Sequence, residues 1–421
     1  MSSNWNAGIA STIITPDESM WLAGYAKRTK PSQGKATELF TKALALEDAV
    51  GNRLVIVNAD LIAMPREIAD WISAQCEQRF GLRREQLLLT TSHTHSGPEV
   101  RPSKAYFFEI PEEFTRKIPG YVEQLQERMV QTIGNALGDL KPSHLYAGQS
   151  HSSFAANRRG TEGSVDRDVP VLRITDAEGK IRAILFSYAC HNTTLWDDSY
   201  VYCGDYAGFA QQYLQESFPG ATAMFMCGAA ADQNPEPLGT MENARAHGRE
   251  LAEAVKTALK ETIEIEPELN LLFENVPFEF QQIPSREQLA EQTRSSDRPT
   301  VRKAHFLLNQ PNDFGPTYPC PVQAVRLGRQ VLLIAIGGEP VAEYSIRLKE
   351  KFSGSQSLVW VVGYANDMFG YVPTLRIQRE GGYEGGRAML WSSLPMPWTE
   401  SVEPRMMSAF EKIAEDLRFT R

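Results

Sequence analysis

The chain has 421 residues, 42% of them hydrophobic and 23% charged, with a formal net charge of -9 at pH 7; this length buries a sizeable core without staples. The acidic balance, offset by no long Lys/Arg run, argues against nucleic acid or an anionic membrane as the main partner and points to small molecules. The five cysteines, Cys76, Cys190, Cys203, Cys227 and Cys320, form no C-x-x-C and leave one unpaired, so neither a disulfide framework nor a cysteine metal knot is indicated.

The first residues, MSSNWNAGIASTIITP, lack a basic start followed by an apolar run, and no stretch approaches the ~20 apolar residues that span a bilayer. A soluble, cytoplasmic protein without stable membrane association is expected. No internal repeat or low-complexity linker divides the chain, so 1–421 is read as one domain. RLVIVNAD (53–60) reads as a buried strand, and the next segment as a helix with Ile68, Trp71, Ile72 and Cys76 on one face, Pro65 suiting its first turn. The strand 87–90 completes a β-α-β unit whose strands should lie parallel, which brings Asp60 and His93 to one edge.

Further along, VPVLRITDAEGKIRAILFSYA predicts a hairpin turning at 176–180, its second strand running into CHNTT with His191 just past the end. ATAMFMC leads into GAAADQNP in the same manner. VQAVRLGRQVLLIAIGG predicts a second hairpin delivering Glu339 ahead of a helix in VAEYSIRLKEKF, and SLVWVVGYAND precedes Tyr371. The fold class is therefore α/β: mixed sheet or sheets with flanking helices, with an active site at the carboxyl ends of the strands. Two polar, proline-bearing excursions, RPSKAYFFEIPEEFTRKIPG and QTRSSDRPTVRKAHFLLNQPNDFGPTYPCP, lack clear periodicity and are read as loops overhanging the site, or as plain surface insertions.

In HTHSGP, His93 and His95 alternate on a strand exit and can face one pocket, and neutral imidazole is the commonest metal ligand. The pair alone also fits two hydrogen-bonded structural histidines. The other polar tips have structural alternatives too: His191 as a satisfied core histidine, Glu339 as a complement to a helix N-terminus, Tyr371 and Tyr383 as core aromatics with anchored hydroxyls. Arg158 and Arg159 fit either pairing with surface carboxylates or recognition of a substrate anion. His144, His151, His247 and His305 carry no motif.

Taken in order, HTHSGP at 93–98, NR at 157–158, H-x-T at 191–193, GDYAG at 204–208, ADQNP at 231–235, GGE ending at Glu339, GYVPT from Gly370 and GGYEGG from Gly381 resemble the N-terminal catalytic region of the neutral, non-lysosomal ceramidases. The resemblance implies that His93, His191, Glu339 and Tyr371 bind one zinc ion per chain. It also implies that His95 is not a ligand but faces the scissile amide, and that Arg158 and Tyr383 bind substrate and stabilise the transition state. Asp60 is added as an acceptor for a ligand imidazole, with Asp205 and Asn234 as further supporting or substrate-contacting residues.

The family's proposed serine nucleophile is matched by Asn234, whose amide cannot be usefully acylated, so hydrolysis by metal-activated water without an acyl-enzyme is expected. The chain is read as a short member of the family, with no C-terminal immunoglobulin-like domain after Arg421. The expected function is that of a zinc-dependent amidohydrolase cleaving a linear C-N amide of an N-acylated small polar molecule, with a short or aromatic acyl group against the wall of Tyr106, Phe107 and Phe108. The alternatives are a ceramidase proper, a metal-dependent esterase or glycosidase, and a non-catalytic metal-bearing binding protein.

Overall fold

Along 53–59, Val55 and Val57 face one core while Leu54 and Ile56 face another, and along 331–336 Leu332 and Ile334 part in the same way from Val331 and Leu333. Strands buried on both faces belong inside a layered stack. The computed structural model describes residues 4–160, 162–310, 314–352, 358–395 and 397–417. In chain order the strands are β1 (Trp5–Ile13), β2 (Phe40–Glu47), β3 (Arg53–Ala59), β4 (Leu87–Thr91), β5 (Lys141–His151), β6 (Ala155–Asn157), β7 (Asp168–Asp176), β8 (Ile181–Tyr188) and β9 (Thr222–Cys227). They continue with β10 (Gln233–Pro235), β11 (Ile263–Glu264), β12 (Leu269–Glu279), β13 (Thr317–Leu327), β14 (Val331–Ile336), β15 (Glu339–Pro340), β16 (Leu358–Val362) and β17 (Tyr371–Val372).

Among the described residues one sheet runs β4-β3-β2-β1-β5-β7-β8-β9, with β11 on β5, and a second runs β12-β13-β14-β16. Leu54, Ile56, Leu185, Leu333 and Trp360 share the core between the two sheets. Outside it, Val55 and Val57 pack on Ile68 and Ile72 of helix Arg66–Phe80 and on Met129 of helix Ile118–Gly138, while Phe186 and Phe225 pack on helices Asp205–Ser217 and Met241–Ala258. Helices Ala342–Phe352 and Val402–Asp416 cover the far face of the second sheet through Tyr344 and Phe410. The result is a helix, sheet, sheet, helix stack, each fully buried Leu, Ile or Val contributing ~1.5–3 kcal/mol.

The α/β class holds, with two stacked sheets. β3 and β4 are parallel around their helix, Val55 opposite Leu87, as the sequence predicts. β7 and β8 form the first predicted hairpin and β13 and β14 the second, while β9 lies parallel to β8 and β16 to β14. Backbone bonds between the segments leaving these strands show that their carboxyl ends meet: His95 N to Asn192 O at 3.3 Å, Gly363 N to Cys227 O at 3.1 Å, Tyr364 N to Gly338 O at 2.9 Å and Asn366 N to Leu89 O at 2.7 Å.

The two excursions are not loops. The first folds into helices Pro102–Phe107 and Glu112–Thr115 and the start of Ile118–Gly138; the second holds helix Arg298–Leu308 and runs into the start of β13. Residues 311–313 of the second excursion lie outside the described residues. The expected placement stands, because Phe108, Ile118, Phe306 and Phe314 all line the cavity described below. Among the described residues no helix is long and apolar enough to cross a membrane.

Candidate active site

His93 follows β4 by two residues and adopts φ 59°, a left-handed conformation that costs a non-glycine residue ~1–3 kcal/mol and is held only by its surroundings. Its Nδ1 lies 2.7 Å from the Ile62 carbonyl, and the Nδ1 of His191, beyond β8, lies 2.7 Å from the Ala230 carbonyl. A carbonyl can only accept, so both Nδ1 atoms carry the proton and both Nε2 lone pairs point inward.

There they meet Glu339, the first residue of β15. Its Oε2 lies 3.5 Å from His93 Nε2 and 3.4 Å from His191 Nε2, and it is buried without a hydrogen-bond partner among the described residues. Burial holds His93 well below the usual imidazole range, so its Nε2 carries no proton. With both Nδ1 protons given to carbonyls, the two Nε2 lone pairs face a carboxylate oxygen, acceptors against an acceptor, an arrangement that a cation stabilises. The separations match the ~3.3–3.4 Å between donor atoms of a tetrahedral ion with bonds of ~2.0–2.1 Å, so the residues present fit a zinc-sized metal.

β15 and β17 pair in parallel with Glu339 opposite Tyr371, which puts the phenol beside the carboxylate. Arg158, just past β6, donates from Nη2 to the Tyr371 hydroxyl at 2.9 Å and from Nε to Glu384 Oε1 at 2.6 Å. Its guanidinium carbon stands 5.6 Å from the ring centroids of both Tyr371 and Tyr383. His95 Nε2 is 3.3 Å from His93 Nε2, and the ligand atoms of His93, His95 and His191 all lie within 4.8 Å of one another. The His95 ring rests on Tyr25, centroids 4.8 Å apart, and on the backbone of Gly24, where a Cβ would sit 2.3 Å from His95 Nδ1. Only glycine, here at φ +98°, permits that approach.

His93, His95, Glu339, Tyr371 and Tyr383 line one end of a cavity of about 1120 Å³; Phe108, Ile118, Val122, Met389, Trp391 and Leu394 give it apolar walls. That volume exceeds the ~300–1,000 Å³ of common ligand pockets, so it gives no support to the expected restriction to a short acyl group. Of the expected aromatic wall only Phe108 lines the cavity: Phe107 is 0% exposed, and Tyr106 is 41% exposed away from the lining.

Two sequence readings are corrected, and of the two alternatives open for Arg159 the pairing with carboxylates holds. Asp60 is not the acceptor for a ligand imidazole; backbone carbonyls take that place, and Asp60 accepts from the Phe40 amide at 3.0 Å. Asp205 spends its oxygens on the amides of Leu195 at 2.8 Å and Tyr206 at 2.6 Å, away from the cavity lining. Arg159 is not available for a substrate anion, being bound to Glu384 at 2.7 Å and Glu380 at 3.0 Å, and the Nε of Arg158 is likewise committed to Glu384. Asn234 sits in β10 opposite Ala156, its Oδ1 buried without a partner among the described residues.

Residues the sequence reading passed over include Glu384, which holds both arginines, and Tyr364, whose ring centroid lies 4.2 Å from that of His93. Arg28, which donates to the His95 carbonyl at 2.7 Å, is another. Glu384 had a signal, standing inside GGYEGG; Tyr364 and Arg28 had none.

Residues 5–241 match the family model described as neutral/alkaline non-lysosomal ceramidase, N-terminal. The neutral ceramidase of Pseudomonas aeruginosa is 23% identical over 317 residues, covering 68% of this chain and 46% of that protein; the one from Drosophila melanogaster is 24% identical, covering 52% and 33%. This chain thus spans less than half the length of these curated relatives. The crystal structure of the Pseudomonas aeruginosa neutral ceramidase superposes with a TM-score of 0.77 at 19% identity, over 99% of this chain and 75% of that one. The fold agrees across both halves of the site, including the region of Glu339, Tyr371 and Tyr383 beyond the matched segment. With more than half of its residues inside the family model, the chain belongs to the neutral/alkaline non-lysosomal ceramidase family.

Proposed function

We propose that the chain is a zinc-dependent amidohydrolase that cleaves the linear C-N bond of an N-acyl substrate. The observation that carries this reading is the orphaned Glu339 Oε2, 3.5 and 3.4 Å from two imidazole Nε2 atoms whose opposite nitrogens are already committed. His93, His191 and Glu339 would hold the ion with the Tyr371 oxygen as the fourth donor, an N/O set of the kind catalytic zinc uses. When bound, zinc polarises a carbonyl and lowers the pKa of water toward ~7.

The protein's own groups do the rest. The Ile62 and Ala230 carbonyls keep the imidazole Nδ1 protons outward and the Nε2 lone pairs inward. His95, on the cavity wall, donates a hydrogen bond to the substrate oxygen or carries a proton to the leaving amine. Arg158 and Tyr383 steady the negative charge that develops on the carbonyl oxygen, and Glu384 fixes the direction of Arg158. Asn234 supplies no nucleophile, so water attacks without a covalent acyl-enzyme.

The cavity volume and apolar walls support an extended acyl chain, which makes ceramide, the substrate in the relatives' names, a candidate beside water-soluble N-acyl compounds. One observation favours a variant of the metal assignment: His95 Nε2 lies as close to His93 Nε2 as a further ligand would, 3.3 Å. The test is amine release from a panel of N-acyl amino acids, N-acyl amino alcohols and ceramides, with matched esters alongside. Amide cleavage abolished by a chelator and restored by zinc supports the proposal; metal-loaded protein that cleaves none of the amides refutes it.

A further inference from the structure

Helix Pro102–Phe107 and segment 387–394 meet on the apolar side of the cavity. The ring centroids of Phe108 and Trp391 are 6.1 Å apart, and the Lys104 ammonium donates to the Trp391 carbonyl. An ammonium has three donors, and that carbonyl occupies one. Among the described residues no carboxylate comes within 4.0 Å of Lys104. Of the two carboxylates whose charge reaches Lys104, Glu99 closes on Arg101 through two bonds of 2.7 and 2.8 Å and Glu339 faces His93 and His191.

Lys303 deepens the imbalance. Also without a carboxylate partner among the described residues, it is buried on the carbonyls of Met389, Ser392 and Leu394, close enough for the two ammonium groups to repel. Lys104 lines the cavity, with its ammonium 5.6 Å from the Phe108 ring centroid. A cation set in an apolar wall either gives up its proton or takes an anion from whatever enters.

We propose that Lys104 is an anion-binding residue of this cavity and that the preferred N-acyl substrates carry a carboxylate, seated on the Lys104 ammonium while the apolar chain lies along Phe108, Met389 and Trp391. The word substrate here rests on the amidohydrolase reading; the anion site does not. Burial first and then Arg101 lower the Lys104 pKa to about 7, while Glu99 and Glu339 raise it only in part, so a bound carboxylate supplies the missing counter-charge.

The experiment uses the zinc-loaded full chain and two matched pairs: N-dodecanoylglycine against N-dodecanoylethanolamine, with the charge on the amine side, and the monoamide of dodecanedioic acid against dodecanamide, with the charge on the acyl side. The expected result is a charged-to-neutral kcat/KM ratio of tenfold or more in one pair, reduced at least tenfold by Lys104→Met and kept by Lys104→Arg. No preference in either pair overturns the proposal. So does a Lys104→Met variant that slows both members alike and leaves the ratio intact, the outcome if the residue only pins Trp391.

Should no amide be cleaved, the hydrolase reading fails and calorimetry decides the anion site by itself. Dodecanoate binding at least tenfold tighter than dodecanol, with the difference erased in Lys104→Met, upholds it; equal binding overturns it.

Discussion

Removing the Glu384 carboxylate tests the polar frame of the site without touching any proposed metal donor. Its Oε1 takes the Arg158 Nε at 2.6 Å and its Oε2 the Arg159 Nη1 at 2.7 Å, with the Glu384 side chain 4% exposed. Breaking one partner of a buried pair leaves an uncompensated charge and costs ~3–5 kcal/mol; Arg159 retains Glu380, so the loss falls mainly on Arg158. Glu384→Ala should therefore lose about 3 kcal/mol, and Glu384→Gln, which keeps an acceptor, ~1–2 kcal/mol.

Urea denaturation measures this as a lower midpoint at unchanged slope. Burial pushes the Glu384 carboxyl up, but Arg158 and Arg159 outweigh it and its folded pKa is lowered. Such a group contributes stability above its unfolded pKa of ~4.3 and loses it as pH falls through the folded value. The gap between wild type and Glu384→Gln should accordingly narrow below pH ~4. With Arg158 no longer held against Tyr371, turnover should fall ~10–100-fold, the scale of one misdirected oxyanion donor. A Glu384→Ala variant within 0.5 kcal/mol of wild type with unchanged turnover would refute the reasoning.

Three further outcomes are expected. Gly24→Ala places a Cβ 2.3 Å from His95 Nδ1 at a backbone φ of +98°, so it should cost ~1–3 kcal/mol and slow amide cleavage while zinc content stays unchanged; normal turnover would contradict the packing argument. Asn234→Ala should keep kcat within roughly tenfold, about 1.4 kcal/mol, and mass spectrometry that traps an acyl-enzyme on the native chain would contradict the water route. Lys104→Met should raise the melting temperature at pH 7. The folded pKa of about 7 lies below the unfolded ~10.4, so stability is withdrawn as pH falls through that window, and removing the amine returns ~1–3 kcal/mol that vanishes above pH ~10. A melting temperature unchanged or lowered at pH 7 would contradict this sign.

Much of the first sheet was legible because its signals are local. The run before Asp60, the helix with Ile68 and Ile72 on one face and the leucines before His93 each fit one period, and a β-α-β crossover leaves little topological choice. The alternation of two buried faces shows in LVIV only as continuous apolarity, so the stacking of two sheets could not be read from it. Helix Pro102–Phe107, six residues long, gives no period to detect.

The site divides along the same line. His93, His191, Glu339 and Tyr371 stand at strand exits within recognisable strings. The acceptors of the two imidazole protons are the backbone carbonyls of Ile62 and Ala230, which leave no mark in a sequence, and Asp60 was chosen because a carboxylate does. The bond from Glu384 to Arg158 spans 226 positions, a distance over which neither spacing nor pattern carries information.

The central claim, a metal held by His93, His191 and Glu339 with His95 turned to the substrate, is tested most directly by the metal content of purified variants reconstituted with zinc and freed of excess ion. The account predicts one zinc per chain in the wild type and in His95→Ala, and close to none in His191→Ala whose far-ultraviolet circular dichroism still reports a folded chain. A His191→Ala protein that keeps its zinc, or a His95→Ala protein that loses it, would contradict that assignment of the three histidines.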